Sequence, residues 1–281
     1  MKTILVTGSA GMIGSHLVAT LLANGYDVVG IDKNNVVFGD NYKHVQIDLS
    51  DVDPIEKIFK EKNIYRVIHL AALAHNPDKK KYSKEIYKKL NVDCANNVFK
   101  LCSKYCVPVL FASTVDVFGF QKGTINSFSV CKPVTIYGKT KYEAEKLLED
   151  SGVSFTIFRL SPIYSSEIKR DIQKRIYLKY PNWAYKIGKN TQCEVLHINK
   201  AVTEMVHWCS IIPKNNIVIV KDSDLLNTCD FINDEKKHGR AKHILRIPRW
   251  LACLGYGITR ISGKNRYTFL LKKAIYPYKS E

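Results

Sequence analysis

A chain of 281 residues that is 46% hydrophobic and 11% aromatic holds enough apolar material for one large or two modest packed domains. No run approaches the roughly 18 consecutive apolar residues that span a bilayer, and the opening MKTILVTGSAG lacks a signal-cleavage pattern, so a cytoplasmic protein without an integral membrane segment is expected. The formal charge of +17 is scattered in short clusters such as Lys79-Lys80-Lys81 and Lys88-Lys89, which reads as a solvated lysine-rich surface, with attraction of an anionic substrate or membrane face as the alternative, and not as a nucleic-acid interface.

The first 160 residues alternate aliphatic strands with helical patterns. In order they are KTILVTG, the helix MIGSHLVATLLANG, YDVVGID, HVQID, the helix DPIEKIFKEKN, YRVIHLAA, a long helix near 84–105, VPVLFAS, a helix near 136–150, and SFTIFRL. Alternation of this kind implies parallel pairing through right-handed crossovers, hence an α/β doubly wound sheet. After Leu160 the rhythm breaks: SPIYSSEIKRDIQKR and YPNWAYKIGKN read as loops from their Pro, Gly and Asn. It resumes with CEVLHIN, the helix AVTEMVHWC with Asn199 as its N-cap, and NNIVIVK. Near the end, IPRWLACLGYGITRISG carries a Trp and flanking arginines as a membrane-surface helix would, but two internal glycines and shortness favour packing within a lobe. The expected domains are 1–165, completed by about 193–222, and a small C-terminal substrate lobe of 166–192 and 223–281. Eight cysteines without a CxxC pair suggest reduced thiols, with neither a metal site nor a disulfide frame.

In TGSAGMIG, Gly8 permits a tight turn, Gly11 lets backbone approach a pyrophosphate, and Gly14 lets the helix pack closely. The helix N-terminus at Met12 and Ile13 offers free N–H groups and a positive dipole end to phosphate. Asp32 ends the next strand, where an acid accepts hydrogen bonds from a ribose 2′-hydroxyl and repels a 2′-phosphate. That favours NAD, while Lys33 beside it leaves NADP open. Asp48, with Leu49 after it, either faces the adenine or serves as a turn or cap residue.

A tyrosine four residues before a lysine shares a helix face with it, so the ammonium can stabilise a phenolate and make the tyrosine a usable acid or base. The spacing occurs at Tyr137/Lys141, Tyr142/Lys146 and Tyr185/Lys189. The last pair falls in the expected loop, and Tyr142 lies roughly 140° around the helix from Tyr137, so only one pair can serve a given pocket. Tyr137 opens its helix near the carboxyl end of VPVLFAS, where Ser113 and Thr114 place hydroxyls at the edge at which open α/β sheets bind ligands.

With TGSAGMIG, Asp32, HLAA (69–72), ASTVDVFG (112–119), YGKTK (137–141) and FRLSPIY (158–164) in order, the chain resembles the extended short-chain dehydrogenase/reductase family. The resemblance implies a Rossmann-like fold binding NAD(P), with Leu70, Ala71 and Ala72 among the cofactor contacts. It puts Thr114, Tyr137 and Lys141 in the catalytic positions: Tyr137 moves a proton at a sugar hydroxyl or carbonyl, Lys141 holds ribose and lowers the phenol's pKa, and Thr114 bonds the reacting oxygen. Asp116, Ser161 and Pro162 fall at substrate-binding positions, and Asn91 matches a family asparagine or is a plain buried polar residue.

The departures bear on substrate. Val115 and Asp116 stand where family dehydratases carry an acid pair, which argues against 4,6-dehydration; Pro162 replaces a common asparagine and Phe118 a common tyrosine. His197 matches a family histidine and reads as structural, while Arg170, Arg175, Arg240 and Arg246 either clamp a pyrophosphate or are solvated. The expectation is an NAD-dependent nucleotide-sugar epimerase acting at C4. The alternatives are a reductase of a nucleotide-linked 4-keto sugar and a non-catalytic dinucleotide sensor. The resemblance also suggests a homodimer through the helices near 84–105 and 136–150.

Overall fold

Ile4, Leu5 and Val6 expose no surface, so the first strand is covered on both faces, as a parallel strand between two helical layers must be. In the computed structural model the residues described are 1–74, 82–121, 123–165, 172–173, 176–177, 182–188, 192–263, 268, 271–272, 274–275 and 279–281. Lys79, Lys80, Lys81, Arg170, Arg175 and Lys189 lie outside them.

The strands of the central sheet are β1 (Thr3–Thr7), β2 (Asp27–Asp32), β3 (Tyr42–Gln46), β4 (Ile64–His69), β5 (Val109–Thr114), β6 (Phe155–Leu160) and, later in the chain, β8 (Asn216–Val220). Their order across the sheet is β8-β6-β5-β4-β1-β2-β3, with every pairing from β6 to β3 parallel. The helices between them are α1 (Met12–Ala23), α2 (Val52–Glu61), α3 (Lys84–Lys88), α4 (Cys94–Lys104) and α5 (Ile136–Glu149), followed by α6 (Ile198–Ser210). The expected long helix near 84–105 is thus α3 and α4 joined through one π-helical stretch, Lys89–Asp93.

Side chains alternate along each strand, and the two layers follow from that. Leu5 joins Ile55 and Phe59 of α2, Val98 and Phe99 of α4 and Ala144 and Leu148 of α5 in one cluster. Neither Ile4 nor Val6 belongs to it. The opposite layer is α1 packed on α6, and the chain therefore has the doubly wound, Rossmann-like sheet expected from its alternation.

Two compact units divide the chain: Met1–Val117, Ile136–Leu160 and Ile198–Val218 form the first, and Phe118–Thr135, Ser161–His197 and Ile219–Glu281 the second. These bounds differ from the sequence-based ones chiefly in giving 118–135 to the second unit. There Gly119 takes φ +63°, and a Cβ on it would overlap the Lys132 carbonyl. The stretch folds back on itself and pairs Thr124–Ile125 with Lys279–Ser280 at the end of the chain.

The second unit also corrects the loop assigned to YPNWAYKIGKN. Trp183–Ile187 is a strand, β7, paired in parallel with β9 (His243–Ile247). Asn182 and Gly188, the turn signals, take positive φ of 69° and 66° at its two ends, so they punctuate the strand instead of breaking it. CEVLHIN is two short pairings, Gln192–Cys193 with Leu226–Asn227 and Leu196–His197 with Ile163–Tyr164, rather than one strand. Helix α6 starts at Ile198, which puts Asn199 in the first turn and not at the cap.

After α7 (Thr228–Lys237), the segment expected to pack into the lobe forms α8 (Arg249–Ile261). Ala252 is its one buried residue, and Trp250, Leu254 and Ile258 are 69%, 57% and 59% exposed. Ala252, Cys253 and Tyr256 pack with Ile187 and Ile275 as expected for the lobe, while the opposite apolar side is exposed.

In the first unit, Arg66 of β4 is 3% exposed. Its guanidinium donates to the Trp208 and Ile211 carbonyls at the end of α6, and Trp208 Nε1 donates to Thr156 Oγ1 at 2.9 Å. The cation thus satisfies carbonyls that a helix end leaves orphaned. Replacing Arg66 with Met should lower the unfolding free energy by about 2–3 kcal/mol, the scale of lost charge-assisted bonds. Urea titration of the full chain reads it, and an unchanged midpoint would contradict the role.

Candidate active site

The carboxyl edge of the sheet is shaped first by the glycine turn. Gly8 takes φ +74° and donates to the Ile31 carbonyl at 2.7 Å, and a Cβ on it would stand 2.8 Å from Ala71 N. A Cβ on Gly14 would overlap the Gly8 carbonyl oxygen, so α1 approaches the turn at a distance only glycine allows. At Gly11 the nearest neighbour of an added Cβ among the described residues would be the Gly8 carbonyl oxygen, at 3.1 Å. Gly11 is also the N-cap of α1 and supplies no side-chain oxygen, and no acid sits in the first turn. The N–H groups at Met12 and Ile13 therefore lack the side-chain partner that capping would provide, and that is the arrangement that binds phosphate.

At the end of β2, Asp32 accepts from Ala10 N at 3.1 Å and Asn34 N at 2.9 Å, one through each carboxylate oxygen. The acid is fixed in place by the glycine turn itself. Lys33 lies 3.0 Å from Asp48 in an exposed ion pair. The Ser50 amide, then Lys33, hold the Asp48 carboxyl down at about 2. Leu49 is buried in the core, and its carbonyl accepts from Asn97 at 3.0 Å.

The turn after β4 is tied on both sides. Leu70 N donates to the Thr7 carbonyl at 3.1 Å and Ala71 N to Thr7 Oγ1 at 3.4 Å, while Ala74 N donates to the Ala72 carbonyl at 3.2 Å. Asn91, 1% exposed in the π-helical stretch, accepts from Leu73 N at 2.6 Å and donates to Thr140 Oγ1 at 3.1 Å. It is a clasp between this turn and α5, one residue from Lys141. Asn91 is thus buried and hydrogen-bonded.

On α5 the two candidate pairs separate by burial. Lys146 is exposed, bonds Glu149 at 2.6 Å and lies over the Tyr142 ring. Lys141 is 1% exposed, its Nζ 3.9 Å from the centre of the Phe111 ring on β5. Burial pulls its ammonium from 10.5 to about 7, against the upward pull of Glu145. Tyr137, one turn earlier, is half-buried at the start of the helix. Tyr185 of the third pair lies in β7, and its lysine falls outside the described residues.

Glu145 is fully buried and already engaged: Arg159 donates to it at 2.8 and 3.2 Å and Ser113 Oγ donates as well. Of the two hydroxyls ending β5, Ser113 is thereby spent inside, whereas half-buried Thr114 accepts from the Asp116 amide at 3.2 Å. His69 completes this environment. It is fully buried, bonds Thr7 Oγ1 at 2.8 Å and stacks on Phe111. Burial, then Lys141, depress its pKa to about 3, so it is neutral.

The second unit holds the remaining candidates. Ser161 is 2% exposed and its hydroxyl has no hydrogen-bond partner among the described residues. The Pro162 carbonyl accepts from Leu196 N at 3.0 Å. Arg240 is tied to buried Glu235 at 2.7 Å, and Arg246 is exposed on β9. His197 has its amide held by Asp222 and its ring edge-on to Tyr164.

Sequence reasoning passed over Glu145 and Arg159. Glu145 follows Lys141 by four residues on one helix face, a signal that could have marked it.

The first unit has the architecture of a dinucleotide-binding domain with a buried lysine one turn from a tyrosine at the sheet's carboxyl edge. Residues 4–209 match the model of the NAD dependent epimerase/dehydratase family, and the chain belongs to that family. UDP-glucose 4-epimerase of Schizosaccharomyces pombe is 33% identical over 165 residues, 53% of this chain and 46% of the yeast enzyme. The same enzyme of Caenorhabditis elegans is 31% identical over 175 residues, covering 53% and 49%. The matches thus span about half the length of these curated relatives. Among solved structures, the UDP-Glc/GlcNAc 4-epimerase of Campylobacter jejuni superposes with a TM-score of 0.75 at 17% identity, covering 89% of this chain and 87% of that one. UDP-glucuronic acid 4-epimerase of Bacillus cereus, in complex with UDP-glucuronic acid and NAD, gives 0.71 at 22% identity, covering 88% and 86%.

The lysine's burial has a pH signature. A lysine whose folded pKa lies below its unfolded 10.5 binds its proton more weakly when folded, so it costs stability fully below about pH 7 and the cost fades toward 10.5. Lys141→Met should therefore be the more stable protein near neutrality. Its advantage should shrink by on the order of a few kcal/mol as pH rises from about 7 to 10, measured by urea unfolding. A constant difference across that window would contradict the burial.

Proposed function

We propose that the chain is an NAD-dependent nucleotide-sugar epimerase acting at C4 of the sugar. The observation that carries this is Lys141, a cation held away from water one helical turn from Tyr137, within a chain whose family is named for NAD-dependent epimerases and dehydratases. The relatives named UDP-glucose 4-epimerase support the choice of a nucleotide-linked hexose.

The residues present fit a dinucleotide. The bare cradle of Gly8, Gly11 and Gly14 and the uncapped start of α1 would hold the pyrophosphate, with Met12 and Ile13 contributing amides. Asp32 would bind the adenosine ribose, flanked by Asp48, Leu49, Leu70, Ala71 and Ala72. When bound, the nicotinamide supplies a hydride acceptor and donor for the sugar carbon.

The chain's own residues handle the proton. Tyr137 as phenolate removes the C4 hydroxyl proton and later returns one to the carbonyl oxygen. Lys141 and that phenolate favour each other's charged form, because burial disfavours the ammonium until an anion arrives. Lys141 is therefore a proton-coupled partner of Tyr137 as well as a ribose ligand. Thr114 donates to the reacting oxygen. The family resemblance puts Asp116, Ser161 and Pro162 at substrate-binding positions. A homodimer through α3–α4 and α5 belongs to the same proposal, with exposed Ile86 and Ile136 as its apolar contacts.

Purified protein given UDP-galactose and no external reductant should form UDP-glucose with no net change in nicotinamide absorbance. Strict dependence on added NADH would overturn the epimerase reading in favour of a 4-keto sugar reductase. Tyr137→Phe should lose about a thousandfold in turnover with nicotinamide affinity kept within a few-fold. Equal turnover would remove Tyr137 from the mechanism.

Cofactor choice has its own test. The one cation beside Asp32 in sequence, Lys33, is turned to Asp48. By calorimetry NAD should bind at least about tenfold tighter than NADP, and Asp32→Ala should narrow the gap by relieving repulsion of the 2′-phosphate. Tighter binding of NADP to the parent would contradict the assignment.

A further inference from the structure

Helix α8 has two apolar sides, and among the described residues only one of them is packed. Ala252, Cys253 and Tyr256 join Ile187 and Ile275 in a cluster of the second unit. At 100° per residue, Trp250, Leu251, Leu254, Ile258 and Ile261 fall within a single arc of about 100° on the other side. Their exposures are 69%, 45%, 57%, 59% and 90%. Exposed apolar residues scattered singly need no explanation, but five on one stripe about 16 Å long do. Leu245 of β9 and Trp183 of β7, each 41% exposed, add to the apolar surface of the same unit.

The sequence flanking α8 is basic. From Lys236 to Ser280 the chain carries twelve lysines and arginines and no aspartate or glutamate. Arg249 and Arg260 lie near the two ends of α8 and Arg246 lies just before it, all exposed. A self-complementary contact with a second copy would set this cationic stretch against itself. An anionic bilayer surface offers both what the stripe lacks and what the cations seek: an acyl boundary for Trp, Leu and Ile, and headgroup phosphates for Arg and Lys. At 13 residues the helix is too short to cross a membrane.

We propose that α8 lies in the plane of an anionic lipid bilayer surface, with its Trp250–Ile261 stripe inserted at the headgroup boundary and Arg246, Arg249 and Arg260 held by the headgroups. This surface is separate from the nucleotide-sugar reading and does not depend on it.

Flotation of the full-length chain with vesicles tests the docking. Vesicles of phosphatidylcholine with about 30 mol% phosphatidylglycerol should carry the protein up the gradient, and pure phosphatidylcholine should carry at least about tenfold less. The double variant Leu254→Glu/Ile258→Glu should lose at least about tenfold in partitioning while keeping the parent's thermal melting, since neither side chain is packed. Brominated acyl chains should quench fluorescence in the parent but not in Trp250→Phe. Absence of flotation with phosphatidylglycerol, or flotation untouched by the double variant, would overturn the proposal. So would a parent dimer in sedimentation that the double variant dissolves, because the stripe would then belong to a second copy.

Discussion

Burying an ammonium is the constraint around which the first unit is organised. Lys141 keeps 1% of its surface, and the aromatic face of Phe111 is its close neighbour. The carboxylate one turn away cannot neutralise it fully, because Glu145 is already claimed by Arg159 and Ser113. Two of the three buried charges pair with each other, and the third is left poised. A cation held this way costs stability unless an anion or a polar ligand comes to it.

Precise placement of that lysine requires a rigid surround, and the structure supplies it through short polar ties. Thr7 binds both His69 and the turn that follows it, and Asn91 joins that turn to Thr140 on α5. Neutral His69 fills the space between sheet and helix without adding a second charge. The glycine turn is set against the same turn after β4, since a Cβ on Gly8 would meet Ala71. The cradle that fits phosphates and the helix bearing Tyr137 are thus linked through two hydrogen-bonded connections.

Much of this was legible in the sequence because periodicity and glycine spacing are local signals. The strand–helix alternation through Leu160, the turn at Gly8, Gly11 and Gly14, and Asp32 at the end of β2 all follow from neighbours in the chain. That Tyr137/Lys141 and Tyr142/Lys146 face different ways was legible too, since helical geometry separates them, and Lys141 is buried where Lys146 is exposed. Less legible were features decided by partners far along the chain. Trp183–Ile187 is a strand because His243–Ile247 pairs with it, a contact no local pattern announces. Glu145 and Arg159 meet only once α5 packs on the sheet. In α8 the sequence showed an apolar helix with glycines, but only the structure shows that one of its two apolar sides is left uncovered.

The most direct measurement is the ionisation of Lys141 itself. In protein labelled with 13C at lysine Cε, titration followed by NMR should show one lysine ionising near 7, with that resonance missing in Lys141→Met. If every lysine of the native protein titrated near the ordinary value of about 10.4, the buried cation would not exist as described.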